Sequence, residues 1–223
     1  MKLCEKENAL FERWQNERGY DTFITDGVIC PEQWENENKK IVFVLKEANA
    51  KGETLDWRAC LSDHEKSRNW GSTWNNIARW TKALLEGGDY IEYFTPAERS
   101  KWLCRVAVVN LKKVAGGSST KHKELVRYTQ SDVSFIWEQL CIYSPDIIIA
   151  CGSWVDWLLW EEILSSKQKT DEYVSGELFG RCYKTRFPNR DSDTTVICWR
   201  HPNSRYNSKE MFDAISVIGL EIY

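Results

Sequence analysis

Histidine is scarce in this 223-residue chain: only His64, His122 and His201 occur, far apart in sequence. The eight cysteines form no Cys-x-x-Cys pair. Zinc and iron–sulfur centres draw on closely spaced ligands of these two kinds, so the sequence supports no metal site. No apolar run approaches the roughly 20 residues needed to cross a bilayer. The opening MKLCEKENALFERW carries acids where a targeting segment would be apolar. A cytoplasmic protein without membrane association is expected. In that setting, with Cys151 and Cys198 inside apolar runs, the cysteines read as free buried thiols rather than a disulfide framework. Internal repeats, low-complexity stretches and linkers are absent too. That leaves one domain over 1–223, a length sufficient for one sizeable core.

Tryptophan, by contrast, is abundant at twelve residues, most of them expected in the core because a large aromatic buries much apolar area. The formal net charge of −3 conceals a partition. Residues 101–127 carry seven Lys/Arg against one acid, and 181–209 carry seven against two. Residues 128–180 carry two against nine. An acidic chain can still bind a polyanion if its positive segments share a face, although solvated surface is the plainer reading.

Four runs are apolar and β-branched enough for buried strands: IVFVL (41–45), RVAVVN (105–110), DIIIAC (146–151) and TTVICW (194–199). Between them lie segments of helical period. In 72–86 the residues Trp74, Ile77, Ala78, Thr81, Leu84 and Leu85 fall on one face. Helices are also expected over 131–143, 154–164 and 208–220, with Ser153 and Asp156 resembling a capping box. TKHKELVRYTQ (120–130) and NRDSD (189–193) read as surface loops, and EGGDY as a turn. Alternation of strand and helix predicts an α/β fold, a mainly parallel sheet covered on both faces. In such sheets ligands sit beyond the carboxyl ends of the strands, which selects residues 46–58, 110–122, 152–154 and 200–206.

Those places carry chemistry. Glu47 is the carboxylate just past the first strand, able to orient or deprotonate water from a partly dry pocket. A surface glutamate paired with lysine is the plain alternative. Asn110 ends the second strand, where an amide is costly unless hydrogen-bonded. It offers a donor and an acceptor side by side, as reading a base edge requires; capping the loop is its alternative. Lys112, Lys113, Lys121 and Lys123 follow, around Gly116-Gly117. After the fourth strand comes WRHPNSRYN, in which Pro202 restricts His201 toward extended backbone. An imidazole so aimed can stabilise negative charge on a leaving group.

Taken in order, VLKEANAKG, GSTWNNIARWTKAL, VVNLKKVAGGSSTKH, PDIIIACGSWVDWLL and WRHPNSRYN resemble the elements of the uracil-DNA glycosylase superfamily over about residues 40–215. The resemblance implies a three-layer α/β/α sandwich around a central four-stranded, mainly parallel sheet, with residues 1–38 as an N-terminal helical extension. It implies a DNA glycosylase that flips out uracil or a related damaged base and hydrolyses its N-glycosidic bond, without metal or organic cofactor. Glu47 and His201 match catalytic positions. Asn110 matches the base-reading amide, Trp57 stands where an aromatic stacks on the base, and Asn49 lies on the pocket floor. Ser72, Lys112, Lys113, Ser204 and Arg205 would grip DNA phosphates of single- or double-stranded DNA, with the protein expected to be monomeric. The chain departs from the family at Ala48-Asn49-Ala50, at Asn203 in place of serine, and in lacking a leucine wedge, with Arg205 or Tyr206 nearby instead. These departures leave a second expectation open: a catalytically inactive relative that binds nucleic acid or a nucleotide. Action on a small nucleoside or nucleotide is a third.

Overall fold

Apolar, β-branched runs with no polar face need cover on both sides. Four of them form the middle of one sheet in the computed structural model, which describes residues 2–50, 52–117, 119–164, 169–173 and 181–221. In chain order the elements are α1 (Leu3–Arg18), β1 (Ile24–Thr25), β2 (Gly27–Val28), α2 (Pro31–Asn36), β3 (Ile41–Asn49), β4 (Leu55–Asp56), α3 (Trp57–Ser62), α4 (Ser72–Leu85) and α5 (Pro96–Leu103). Then follow β5 (Ala107–Gly116), α6 (His122–Tyr143), β6 (Ile147–Cys151), α7 (Ser153–Leu158) with a π-helical continuation Leu159–Ile163, β7 (Lys169–Tyr173), β8 (Cys182–Thr185), β9 (Thr194–Trp199) and α8 (Ser208–Glu221).

The sheet has seven strands in the order β2-β5-β3-β6-β9-β8-β7, not four. Pairings β5–β3, β3–β6 and β6–β9 are parallel, whereas β2, β8 and β7 join antiparallel. The added strands escape a search for apolar runs for a physical reason. β2 is two residues long, and β8 alternates buried Tyr183 and Thr185 with exposed Lys184. β1 and β4 form a separate two-stranded parallel pair.

Strand alternation divides the core. Phe43, Val108, Ile149 and Ile197 pack with Trp80 and Leu84 of α4 and Phe212 of α8. Val44, Val109, Ile148 and Val196 pack with Trp14 of α1 and Phe135 and Ile136 of α6. The expected N-terminal helix is therefore a covering layer, and the segment behind it contributes β1, β2 and α2 as well.

Three local expectations are corrected. Residues 122–130, expected as loop, form the first half of α6: lysine, glutamate, leucine and arginine favour helix, and Leu125 and Thr129 are buried. The N-cap of α7 is Gly152 rather than Ser153. Asp156 instead accepts a hydrogen bond from Arg181 Nε at 2.8 Å. The cysteines are not all thiols, because Cys30 and Cys104 form a disulfide, while Cys151 and Cys198 are buried as expected. No helix among the described residues is long and apolar enough to cross a membrane.

Candidate active site

Parallel pairing aligns the carboxyl ends of β3, β5 and β9 on one edge of the sheet. Register sets Leu45 beside Asn110 and Glu47 beside Lys112, so these side chains share the face covered by α3 and α4. His201 arrives two residues past β9. A cavity of about 230 Å³ opens there, lined by Glu47, Asn49, Trp57, Asn110 and His201. Thr73, Trp74, Thr120 and Asn203 complete much of its wall. Carboxylate, amide and imidazole from three distant segments thus meet around one hollow. It is smaller than the roughly 300–1,000 Å³ of drug-sized sites and suits a single small ring.

Asn110 is 3% exposed, and its burial is explained by a residue that sequence reasoning passed over. Asp26, between β1 and β2, accepts hydrogen bonds from the Asn110 backbone N–H at 2.7 Å and from its Nδ2 at 3.1 Å. The carboxylate stands where β2 ceases to pair with β5, replacing a ladder partner. Because Nδ2 must face a carboxylate, the amide orientation is set. Oδ1 accepts no bond among the described residues, leaving an acceptor for a ligand N–H. Asp26 also receives Lys113 Nζ at 2.6 Å and Gln139 Nε2 at 2.9 Å. Gln139 reaches Tyr143 Oη, which donates to Glu7 at 2.6 Å. Burial pushes the pKa of Glu7 and Tyr143 up, and that of Lys113 down. In sequence, TDGV offers only an ordinary turn, so nothing there marks Asp26.

The HPNS loop is tied down from below. Asn76 Nδ2 donates to Pro202 O at 2.7 Å, and Arg79 Nη1 donates to Asn76 Oδ1 at 2.9 Å. Ser72 Oγ donates to Asn203 Oδ1, and Ser204 N to His201 O at 2.8 Å. The Asn203 N–H donates to His201 Nδ1 at 3.1 Å. That nitrogen is then the unprotonated one, and the ring proton sits on Nε2. Burial, followed by the positive charge of Lys46, lowers the His201 pKa. A neutral imidazole with one N–H to give is the result.

Glu47 keeps a carboxylate at the cavity but not alone. Its side chain is 5% exposed, and Oε2 lies 2.8 Å from Lys112 Nζ. Lys112 is also 3.6 Å from Glu124. The expected lysine partner exists, but buried rather than on the surface.

The phosphate-gripping set divides. Lys112 and Lys113 are not loop residues: β5 continues to Gly116, which turns Lys112 toward Glu47 and Lys113 into the opposite face. Lys113 is fully buried against Asp26, so neither lysine is available to a phosphate as expected. Ser72 is engaged by Asn203. Ser204 is half-buried, its Oγ 3.7 Å from Met211 Sδ, and Arg205 is exposed. Trp57 does wall the cavity, held at the first turn of α3 by Asp56, which accepts from Arg58 N at 2.9 Å. Its ring centroid lies 4.6 Å from Trp70 and 5.3 Å from Trp74, so the two lining indoles, Trp57 and Trp74, belong to a cluster of three.

Compared with known protein families and with curated protein sequences, the chain matches none.

Proposed function

We propose that the protein is a DNA glycosylase of the uracil-DNA glycosylase type, acting on uracil or a related damaged base. The observation that carries this reading is the convergence of Glu47, Asn110 and His201 on one base-sized cavity beside Trp57. In this reading β5-β3-β6-β9 would be the family's four-stranded parallel core, sandwiched between helical layers and extended at both edges. A flipped nucleotide, extruded at a cost of a few kcal/mol, would stack on Trp57, with stacking worth about 1–3 kcal/mol. Asn110 Oδ1 would accept the ring N–H of the base. As the glycosidic bond lengthens, charge grows on the base, and the His201 Nε2–H would donate to it. Glu47 would orient water toward the sugar carbon, with Lys112 holding the carboxylate in place at 2.8 Å.

The test is base release from oligonucleotides bearing uracil and other lesions, read after cleavage at abasic sites. His201→Ala is expected to lower the rate on the order of 10²–10³, as for loss of one charge-stabilising donor, while strand binding persists. Every lesion-bearing oligonucleotide left intact by the wild-type protein would sink the proposal.

One observation favours the second reading, an inactive nucleic-acid or nucleotide-binding relative. The Glu47 Oε2 is already occupied by Lys112 Nζ at 2.8 Å, so that oxygen is not free to take a water molecule. Glu47→Ala separates the two: it abolishes product if Glu47 acts on water and leaves binding unchanged in either case.

A further inference from the structure

Two of the indoles behave unlike the core ones. Trp154 and Trp157 are 37% and 40% exposed. They lie one turn apart on α7, rings meeting edge to face at 5.7 Å. Trp154 also packs on His122 at 4.5 Å.

Chain connectivity keeps this pair within a few residues of the cavity. Thr120, which lines the cavity, is two residues before His122. Gly152, two residues before Trp154, is so close to the opposite wall that a Cβ there would lie 3.9 Å from His201 Cβ. Lys121, His122, Lys123 and Arg127 are all exposed at the start of α6. The carboxylate in that turn, Glu124, is engaged by Lys121 and Lys112. That leaves Lys123 and Arg127 without a carboxylate partner, and exposed aromatic faces next to such cations are the composition of a single-strand groove: bases stack on the rings and cations follow the backbone. In a duplex those base faces are already covered by neighbouring pairs.

We infer that Trp154 and Trp157, backed by His122, form a stacking platform for unpaired bases of a single-stranded nucleic acid whose target nucleotide enters the cavity. This rests on the glycosylase-type reading of the cavity and adds the form of substrate to it.

The experiment measures fluorescence anisotropy of labelled oligothymidylate, alone and annealed to its complement, with wild-type protein and with Trp154→Leu, Trp157→Leu and Trp154→Phe. Leucine keeps apolar bulk without an aromatic face, and circular dichroism checks that each variant folds. Each leucine variant is expected to lose about 5- to 150-fold in single-strand affinity, the range of one stacked base. Phenylalanine should restore most of it, and duplex affinity should not move. Unchanged single-strand affinity in both leucine variants overturns the platform and leaves the cavity reading intact, since wild-type base release is scored separately. A wild type that prefers duplex overturns the platform alone. A wild type that binds no oligonucleotide overturns both.

Discussion

A methyl group on Gly116 would overlap the carboxylate carbon of Glu47, so this glycine makes room for the site's acid at the end of β5. Gly116→Ala is therefore expected to displace Glu47 and, on the proposed glycosylase reading, to cut base release at least tenfold. Thermal stability should change little, because the strand ends there, and paired activity and melting measurements check both halves. His201 supplies a second single-residue expectation. Its native pKa lies below the usual value near 6.5, for burial and then Lys46 both disfavour the cation. Between the native value and about 6.5 the unfolded chain holds the proton and the folded chain does not, so stability rises with pH across that window. The contribution is complete above about pH 6.5 and disappears as pH falls to the native value. Urea midpoints of wild type and His201→Gln, compared from about pH 5 to 7.5, should diverge only in the lower part. Parallel curves would count against a neutral imidazole.

At the level of elements, α4 orients the HPNS loop through its first two turns. Asn76→Ala removes the donor to Pro202 and the acceptor of Arg79. Leaving such buried groups unmatched costs about 1–3 kcal/mol, readable as a lower urea midpoint, and the loosened loop should slow base release more than it weakens strand binding. The sequence revealed α4 well, because Trp74, Ile77, Ala78 and Leu84 recur at helical spacing and are all buried. The four inner strands were equally visible, because each holds an apolar, β-branched stretch with polar residues only at its ends. β5 was not legible to its end. Lys112 and Lys113 look like loop residues, since nothing local says that Glu47 and Asp26 wait on either face to neutralise them. Glu47, Asn110 and His201 were legible as a site because each stands where an apolar run gives way to polar residues, although β3 and β5 continue past Glu47 and Asn110. Asp26 and the ring cluster of Trp57, Trp70 and Trp74 owe their positions to packing between segments, which one-dimensional spacing does not encode.

Across the whole molecule, the positive segments are less available than their count suggests. Arg105 pairs with Glu37 and Glu86, Arg186 with Asp193 and Arg190 with Asp146, besides the two buried lysines. Among the described residues of those segments, Lys101, Lys123, Arg127, Lys184 and Arg205 are exposed without a carboxylate partner, and only Lys123, Arg127 and Arg205 belong to the loops and helix start around the cavity. Two or three phosphate contacts at about 0.7 each would give a slope of log affinity against log salt near −1.4 to −2.1 for single strands. A titration with a slope steeper than about −5 would require cations beyond these. The deepest long-range link is the carboxylate that Asp26 brings to Asn110 from the far side of the sequence. A truncated chain beginning after residue 38 would keep every residue named in the glycosylase resemblance. It would nevertheless lose the carboxylate that holds the Asn110 amide in place, and strand Lys113 as an orphan charge in the interior. The leading segment is in this sense a keystone, and trimming it away is expected to collapse the site that follows it in sequence.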